Sequence, residues 1–241
     1  FMKIAVLMTN TDESDFAARH PKDGEKFTDF IHLVRPDWHV AIYAVKDGIF
    51  PTDIGIYDGF IITGSPASVN DDAEWIKTLL YLIQVIAAQK IPMFGACFGH
   101  QAIAVALGGS LMTNPDGWGH GVLKTSGIAQ FPWGGDMGDI VLYGSHIEQV
   151  STLPKEAVSI AKSDGCEIAG FVIENHIFTI QHHPEMTHEF ICALVDELAE
   201  YVGPAVTQNA KKRLKNARAD RAQFATWVVQ FFEHGVLTRP S

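Results

Sequence analysis

Cysteine is scarce in this 241-residue chain: Cys97, Cys166 and Cys192 are its three. Their odd number and wide spacing exclude a disulfide framework, and no Cys-x-x-Cys pair offers a structural metal site. Unpaired thiols suit a reducing compartment, so a cytoplasmic location is expected. Basic residues are short as well. Eighteen Lys and Arg against 28 Asp and Glu leave a formal charge of −10, which speaks against nucleic acid or an anionic membrane as partner. No apolar run reaches the ~18 residues of a membrane span. The opening run, Phe1 to Met8, is too short for a secretory signal, and Phe1 ahead of Met2 reads as an addition to the natural start. There is no Gly-x-x-x-x-Gly-Lys phosphate loop, no internal repeat and no low-complexity tract.

Apolar residues, by contrast, make up 47% of the chain, enough to bury a large core. Their pattern alternates between two periods. Lys3 to Met8, Trp38 to Ala44, Tyr57 to Ile62 and Lys90 to Phe94 are short runs expected as buried strands. Between them, Phe27, Phe30, Ile31 and Val34 recur at helical spacing, as do Trp75, Leu79, Ile83 and Ile86. Alternating strands and helices predict a parallel sheet covered on both faces. Beyond Gly108-Gly109 the texture changes. Val122 to Thr125, Ile140 to Leu142, Ala157 to Ala161, Ala169 to Ile173 and His176 to Ile180 are short, and Glu174-Asn175 predicts a hairpin between the last two. An added antiparallel group is expected there. Thr187 to Val202 predicts a helix that ends at Gly203-Pro204. This divides the chain into a domain over 2–203 and a C-terminal helical extension over 204–241. In the extension, the basic run Lys211 to Arg218 is expected as a solvated face. The stripe Phe224, Trp227, Val228, Phe231 and Phe232 is expected to pack on the chain's own sheet or on a second copy in a homodimer.

The chemistry centres on Gly95-Ala96-Cys97-Phe98-Gly99-His100-Gln101, between a strand and a small-residue helix. Glycines around such an elbow allow a tight, strained turn, and a helix starting at the sulfur favours the thiolate. A thiol nucleophile needs a base and a group to orient that base. Gln181-His182-His183-Pro184-Glu185 supplies both after the strand ending at Ile180. Residues two apart share a side of an extended segment, so Glu185 can brace His183 while His182 points away. Backbone N–H groups for an oxyanion are expected at Phe98 and at the Gly64-Ser65-Pro66 turn, on the same sheet edge. His182, His183 and His188 are ligand types, but Pro184 breaks the helix that a His-Glu-x-x-His site requires, so no metal is expected. His100 is expected to pack, and Cys166 and Cys192 to be inert.

Taken in order, Thr63-Gly64-Ser65-Pro66, Gly95 to Gln101, Ser145-His146-Ile147-Glu148-Gln149-Val150 through Pro154, and Gln181 to Glu185 resemble the class I (triad) glutamine amidotransferase family. Within it, the chain is similar to a stand-alone GMP-synthase-like glutaminase domain. The resemblance spans roughly residues 3 to 200. It implies a flavodoxin-like α/β fold and hydrolysis of the glutamine γ-amide through a γ-glutamyl thioester, without a cofactor. Cys97, His183 and Glu185 would be the catalytic triad. Phe98 with Ser65 or Gly64 would form the oxyanion hole. Gln101, Ser145 and His146 would hold the glutamine backbone. A synthetase subunit receiving the ammonia is the implied partner. Three positions depart from the family pattern: Ser65 replaces a glycine, His182 an aromatic and Glu148 an aspartate. Related stand-alone members with the same elbow make a γ-glutamyl peptide hydrolase the alternative. A non-catalytic regulatory subunit is a further one. An α/β-hydrolase-type thiol esterase shares the elbow, but its acid precedes the histidine, whereas here it follows.

Overall fold

The computed structural model describes residues 1–241. Five strands run parallel: β1 (Lys3–Leu7), β2 (His39–Tyr43), β3 (Gly59–Ile62), β4 (Met93–Ala96) and β11 (Ile177–Ile180), in the spatial order β2-β1-β3-β4-β11. The sheet then continues antiparallel through β10 (Cys166–Ile173), β9 (Val158–Ser163), β6 (Gly119–Gly127) and β7 (Asp139–His146). A separate two-stranded sheet pairs β5 (Ser110–Thr113) with β8 (Glu148–Thr152). This is the flavodoxin-like architecture with its added antiparallel group. The β10–β11 hairpin turns at Glu174, whose φ of +45° is the left-handed geometry such a turn needs.

The central strands are buried on both sides because helices cover both faces. Side chains alternate along each strand, so Val6, Ile61, Phe94 and Phe178 enter one core while Leu7, Phe60, Met93 and Ile177 enter the other. The first core is closed by α2 (Asp23–His32) and α8 (Arg221–Thr238), after the short α1 (Asp15–Ala18). The second is closed by α3 (Glu74–Ala88), through Ile76, Leu79, Ile83 and Ile86, and by α4 (Phe98–Ala106). Trp75 leaves that stripe and stacks on Phe98 at 5.6 Å, covering the start of α4.

The expected helix over 187–202 is two: α5 (His188–Glu197) and α6 (Ala199–Val202) meet at Leu198. Thr187 caps the first by accepting a hydrogen bond from the Phe190 N–H at 3.1 Å. Gly203, with φ +91°, turns the chain into α7 (Pro204–Asn216), where Pro204 occupies the first helical position that tolerates it. Helices α5 and α7 cover the antiparallel half through Val122, Tyr143, Ile191, Val195 and Leu214. The aromatic stripe of α8 packs on this chain's own sheet: Phe224 stacks on Phe178 at 5.7 Å, and Phe224, Phe231 and Phe232 are fully buried. No helix is long and apolar enough to cross a membrane.

Candidate active site

β4 ends at Ala96 and α4 begins at Phe98, so Cys97 is the single residue at the corner. Its φ of +53° and ψ of −108° lie where side-chain-bearing residues rarely sit. The strain therefore rests on the cysteine itself. The flanking glycines serve a different end, close packing: neither has a positive φ. A Cβ on Gly95 would stand 2.6 Å from the Gly99 carbonyl, and one on Gly99 would stand 2.8 Å from the Ile62 carbonyl carbon. Their absence of side chains lets α4 press its first turn against β3 and β4 and present Cys97 at the sheet edge.

β11 lies beside β4 in parallel register, Ile180 opposite Ala96, which carries the chain after Ile180 to the same edge. The Cys97 N–H donates to the Ile180 carbonyl at 3.0 Å. His183 donates its backbone N–H to Tyr143 of β7 at 2.8 Å, which fixes where its ring starts. Its Nδ1 meets Glu185 Oε1 at 2.6 Å. The pairing anticipated from extended alternation is achieved by a turn, in which the Met186 N–H points back to the His183 carbonyl at 3.4 Å. Pro184 sits inside that turn. His182 faces the opposite way, toward Ser163 Oγ at 3.2 Å, and His188 bonds Tyr143 Oη at 2.7 Å. The three histidines thus diverge.

Gly64 is where the sulfur and the imidazole come together. A Cβ there would lie 2.6 Å from His183 Cε1, 3.4 Å from His183 Nε2 and 3.5 Å from Cys97 Cβ. The backbone N–H groups of Gly64 and Ser65 are given to no carbonyl of the protein, and Phe98 heads a helix whose first N–H groups have no intrahelical acceptor. Thr9, fully buried just past β1, holds this turn: its hydroxyl donates to the Thr63 and Gly64 carbonyls at 2.8 and 3.1 Å.

Gln181 escaped the sequence reading as a site residue. Its Nε2 points at Cys97 Sγ at 3.6 Å, and its Oε1 accepts from Gln101 Nε2 at 3.1 Å. Gln101 Nε2 also donates to the Glu148 carbonyl at 2.8 Å, leaving Oε1 as the atom it can offer a ligand. The Glu148 carboxylate accepts from Ser68 Oγ at 3.1 Å, linking β8 to the loop after Gly64. Ser145 Oγ is engaged with His120 Nδ1 at 2.9 Å, and His146 Nδ1 with the Glu148 carbonyl at 3.1 Å. His146 also faces the His182 ring, with centroids 5.8 Å apart, and neither residue bonds the sulfur.

The electrostatics separate one histidine from its neighbours. Burial opposes charge on His183, yet the Glu185 carboxylate and the Cys97 sulfur, through charge and hydrogen bonds, hold its pKa well above the ordinary imidazole value. Burial pushes His100 down to about 3 and His146 down to about 4, and pushes His182 well below the usual range. Burial also pushes the Cys166 thiol up to about 12, as expected of an inert cysteine.

A histidine with a lowered folded pKa takes up protons on unfolding, so stability is lost as pH falls below the unfolded value of about 6.5. Each of the three costs about 1.4 kcal/mol per pH unit until its folded pKa is reached. Urea midpoints measured from neutral pH downward should fall steeply below about pH 6.5, ahead of carboxylate titration. A flat profile down to about pH 5 contradicts the burial of these rings as neutral groups.

A family model described as "Glutamine amidotransferase class-I" matches residues 38–190. Gamma-glutamyl peptidase 3 of Arabidopsis thaliana is 33% identical over 192 residues, which span 75% of this chain and 77% of that protein. The glutamine amidotransferase-like protein chyE of Penicillium rubens is 29% identical over 204 residues, spanning 81% and 83%. A crystal structure of a glutamine amido transferase from Methylobacillus flagellatus superposes with a TM-score of 0.77 over 100% of this chain and 97% of that one. Its sequence identity is 24%, so this likeness speaks for the fold alone.

Proposed function

The chain belongs to the glutamine amidotransferase class-I family, and from that premise we propose that it hydrolyses γ-glutamyl amides, glutamine first among them, through a thioester on Cys97. The observation that carries the reading is the meeting of three groups around Gly64: the strained Cys97, the His183 ring, and Glu185 at 2.6 Å behind that ring.

His183 Nε2 takes the thiol proton, and the sulfur attacks the γ-carbonyl carbon. The oxyanion develops against the N–H groups of Phe98 and of Gly64 or Ser65, which the ground-state protein leaves available. The C–N bond then breaks, and His183 returns its proton to the departing ammonia. Water attacks the thioester, gives a proton to His183, and releases glutamate as the sulfur is expelled and reprotonated. Gln101 Oε1 would accept from the substrate's α-ammonium, with the Ser145-His146 wall alongside. A synthetase subunit is the partner that would consume the ammonia.

A second reading keeps the same steps with an amine as leaving group. Similarity to gamma-glutamyl peptidase 3 over three quarters of both chains favours it. One experiment separates the two: ammonia release from glutamine measured beside cleavage of γ-glutamyl dipeptides, at equal concentrations. Faster glutamine turnover supports the glutaminase, faster dipeptide turnover the peptidase. Absence of both, with and without candidate synthetases, overturns the proposal.

A further inference from the structure

We propose that Arg221, the first residue of α8, is a positioning residue for the His183–Glu185 pair, gripping the main chain of Glu185 from the C-terminal segment. The proposal rests on the functional reading only in taking His183 to serve Cys97.

Arg221 Nη2 donates to the Glu185 carbonyl at 3.3 Å. Its neighbour Asp220 is pinned to Val141 of β7 twice: the Asp220 N–H donates to the Val141 carbonyl at 2.8 Å, and the Val141 N–H donates to Asp220 Oδ2 at 2.9 Å. Two residues further along β7, the Tyr143 carbonyl receives the His183 N–H. A single dipeptide therefore grips the strand that anchors His183 and the turn that carries Glu185. The pair must hold its position against Cys97 to a fraction of an ångström, and the main chain of the turn contributes only the long Met186 to His183 bond.

Charge points the same way. Glu185 is 2% exposed, and its Oε2 is buried without a partner. A buried carboxylate oxygen without a hydrogen-bond partner is costly, so the groups that fix its position matter. Around it stand His183 on its own turn, Asp23 of α2 with Lys26 beyond it, and, at its main chain, Arg221 of α8. Lys26 is already committed, to Asp23 at 3.5 Å and to the Phe190 ring at 3.1 Å from its centroid. Asp23 adds negative charge of its own, and burial raises its pKa in response. His183, at 2.6 Å, is the positive charge the carboxylate meets directly, while Arg221 reaches the main chain of the same residue and keeps its Nε as a buried donor without a partner. Residue 221 lies outside the segment that matches the family model, so the helical extension supplies a part that the core segment lacks.

The test is site-resolved alkylation of Cys97 by iodoacetamide in the full-length protein, with kcat and KM followed alongside. Alkylation reports the reactivity of the sulfur beside His183 and needs no substrate. In Arg221→Ala, Glu185 loosens and His183 holds its proton less well. Alkylation at neutral pH should slow about tenfold, and kcat should fall about tenfold to 100-fold with little change in KM. Millimolar guanidinium chloride should restore much of both. Should that variant fail to fold, Arg221→Met, which keeps the apolar stem and removes every donor, carries the same measurement. Parental alkylation and kcat in the folded variant overturn the proposal. So does a loss that merely tracks the unfolded fraction and does not respond to guanidinium. If the parent cleaves neither glutamine nor γ-glutamyl peptides, the functional reading fails, while alkylation still decides the role of Arg221.

Discussion

Cys97→Ala should lower γ-glutamyl hydrolysis by about four orders of magnitude or more, because removing a covalent nucleophile leaves only binding and the oxyanion donors. The fold should survive, since the side chain fills a corner and closes no core layer. A companion variant reads the strain directly. Cys97 holds φ +53° and ψ −108°, a conformation that costs a side-chain-bearing residue about 1–3 kcal/mol. Glycine adopts it freely, at the cost of greater entropy in the unfolded chain. Cys97→Gly should therefore unfold at least as high as the parent in thermal melts, although it buries less. Catalytic competence at this corner would then come at the expense of stability. A variant that melts well below the parent would show that the corner is unstrained.

The second large effect falls on a residue with no functional group. Gly64 carries no positive φ, so alanine is conformationally acceptable there. Space is what it lacks. The added methyl would stand 2.6 Å from His183 Cε1, well inside contact distance, and 3.5 Å from Cys97 Cβ. The imidazole must tilt away from the sulfur or the turn must retreat, taking the proposed oxyanion donors with it. A misplacement of about 1 Å can cost about 100-fold in rate, so Gly64→Ala should lose about that much kcat or more. The stability cost should stay near the 1–3 kcal/mol of an overpacked site. Activity within about threefold of the parent would mean that this turn does not border the reacting groups.

Parts of this site are legible in the sequence because they are local. The elbow is one continuous segment, and so is His183-Pro184-Glu185. The hydrophobic periods of β1, β3, β4 and α3 give the sheet edge on which both segments must end. The remainder depends on register between distant strands. Gln181 sits in the quoted motif, but its contact with Cys97 exists only because Ile180 pairs with Ala96. Thr9 looks like any polar residue after a strand, and its grip on the Gly64 carbonyl requires β1 to lie beside β3. Arg221 is one basic residue near a basic run, and nothing local marks it as facing Glu185. The elbow glycines serve the tight packing that their sequence context suggests. What that context does not divide is the labour: the glycines give space for α4, and the unusual φ is left to Cys97. Propensity cannot show that, because Gly99 meets Ile62 of β3, a contact that no local pattern carries.

The most direct test of the central claim is to quench the protein in acid during turnover of a γ-glutamyl substrate and map the covalent adduct by mass spectrometry. The account predicts one γ-glutamyl group, on the peptide containing Cys97, absent from Cys97→Ala. Turnover with no adduct on Cys97, or with the label on Cys166 or Cys192, would contradict it.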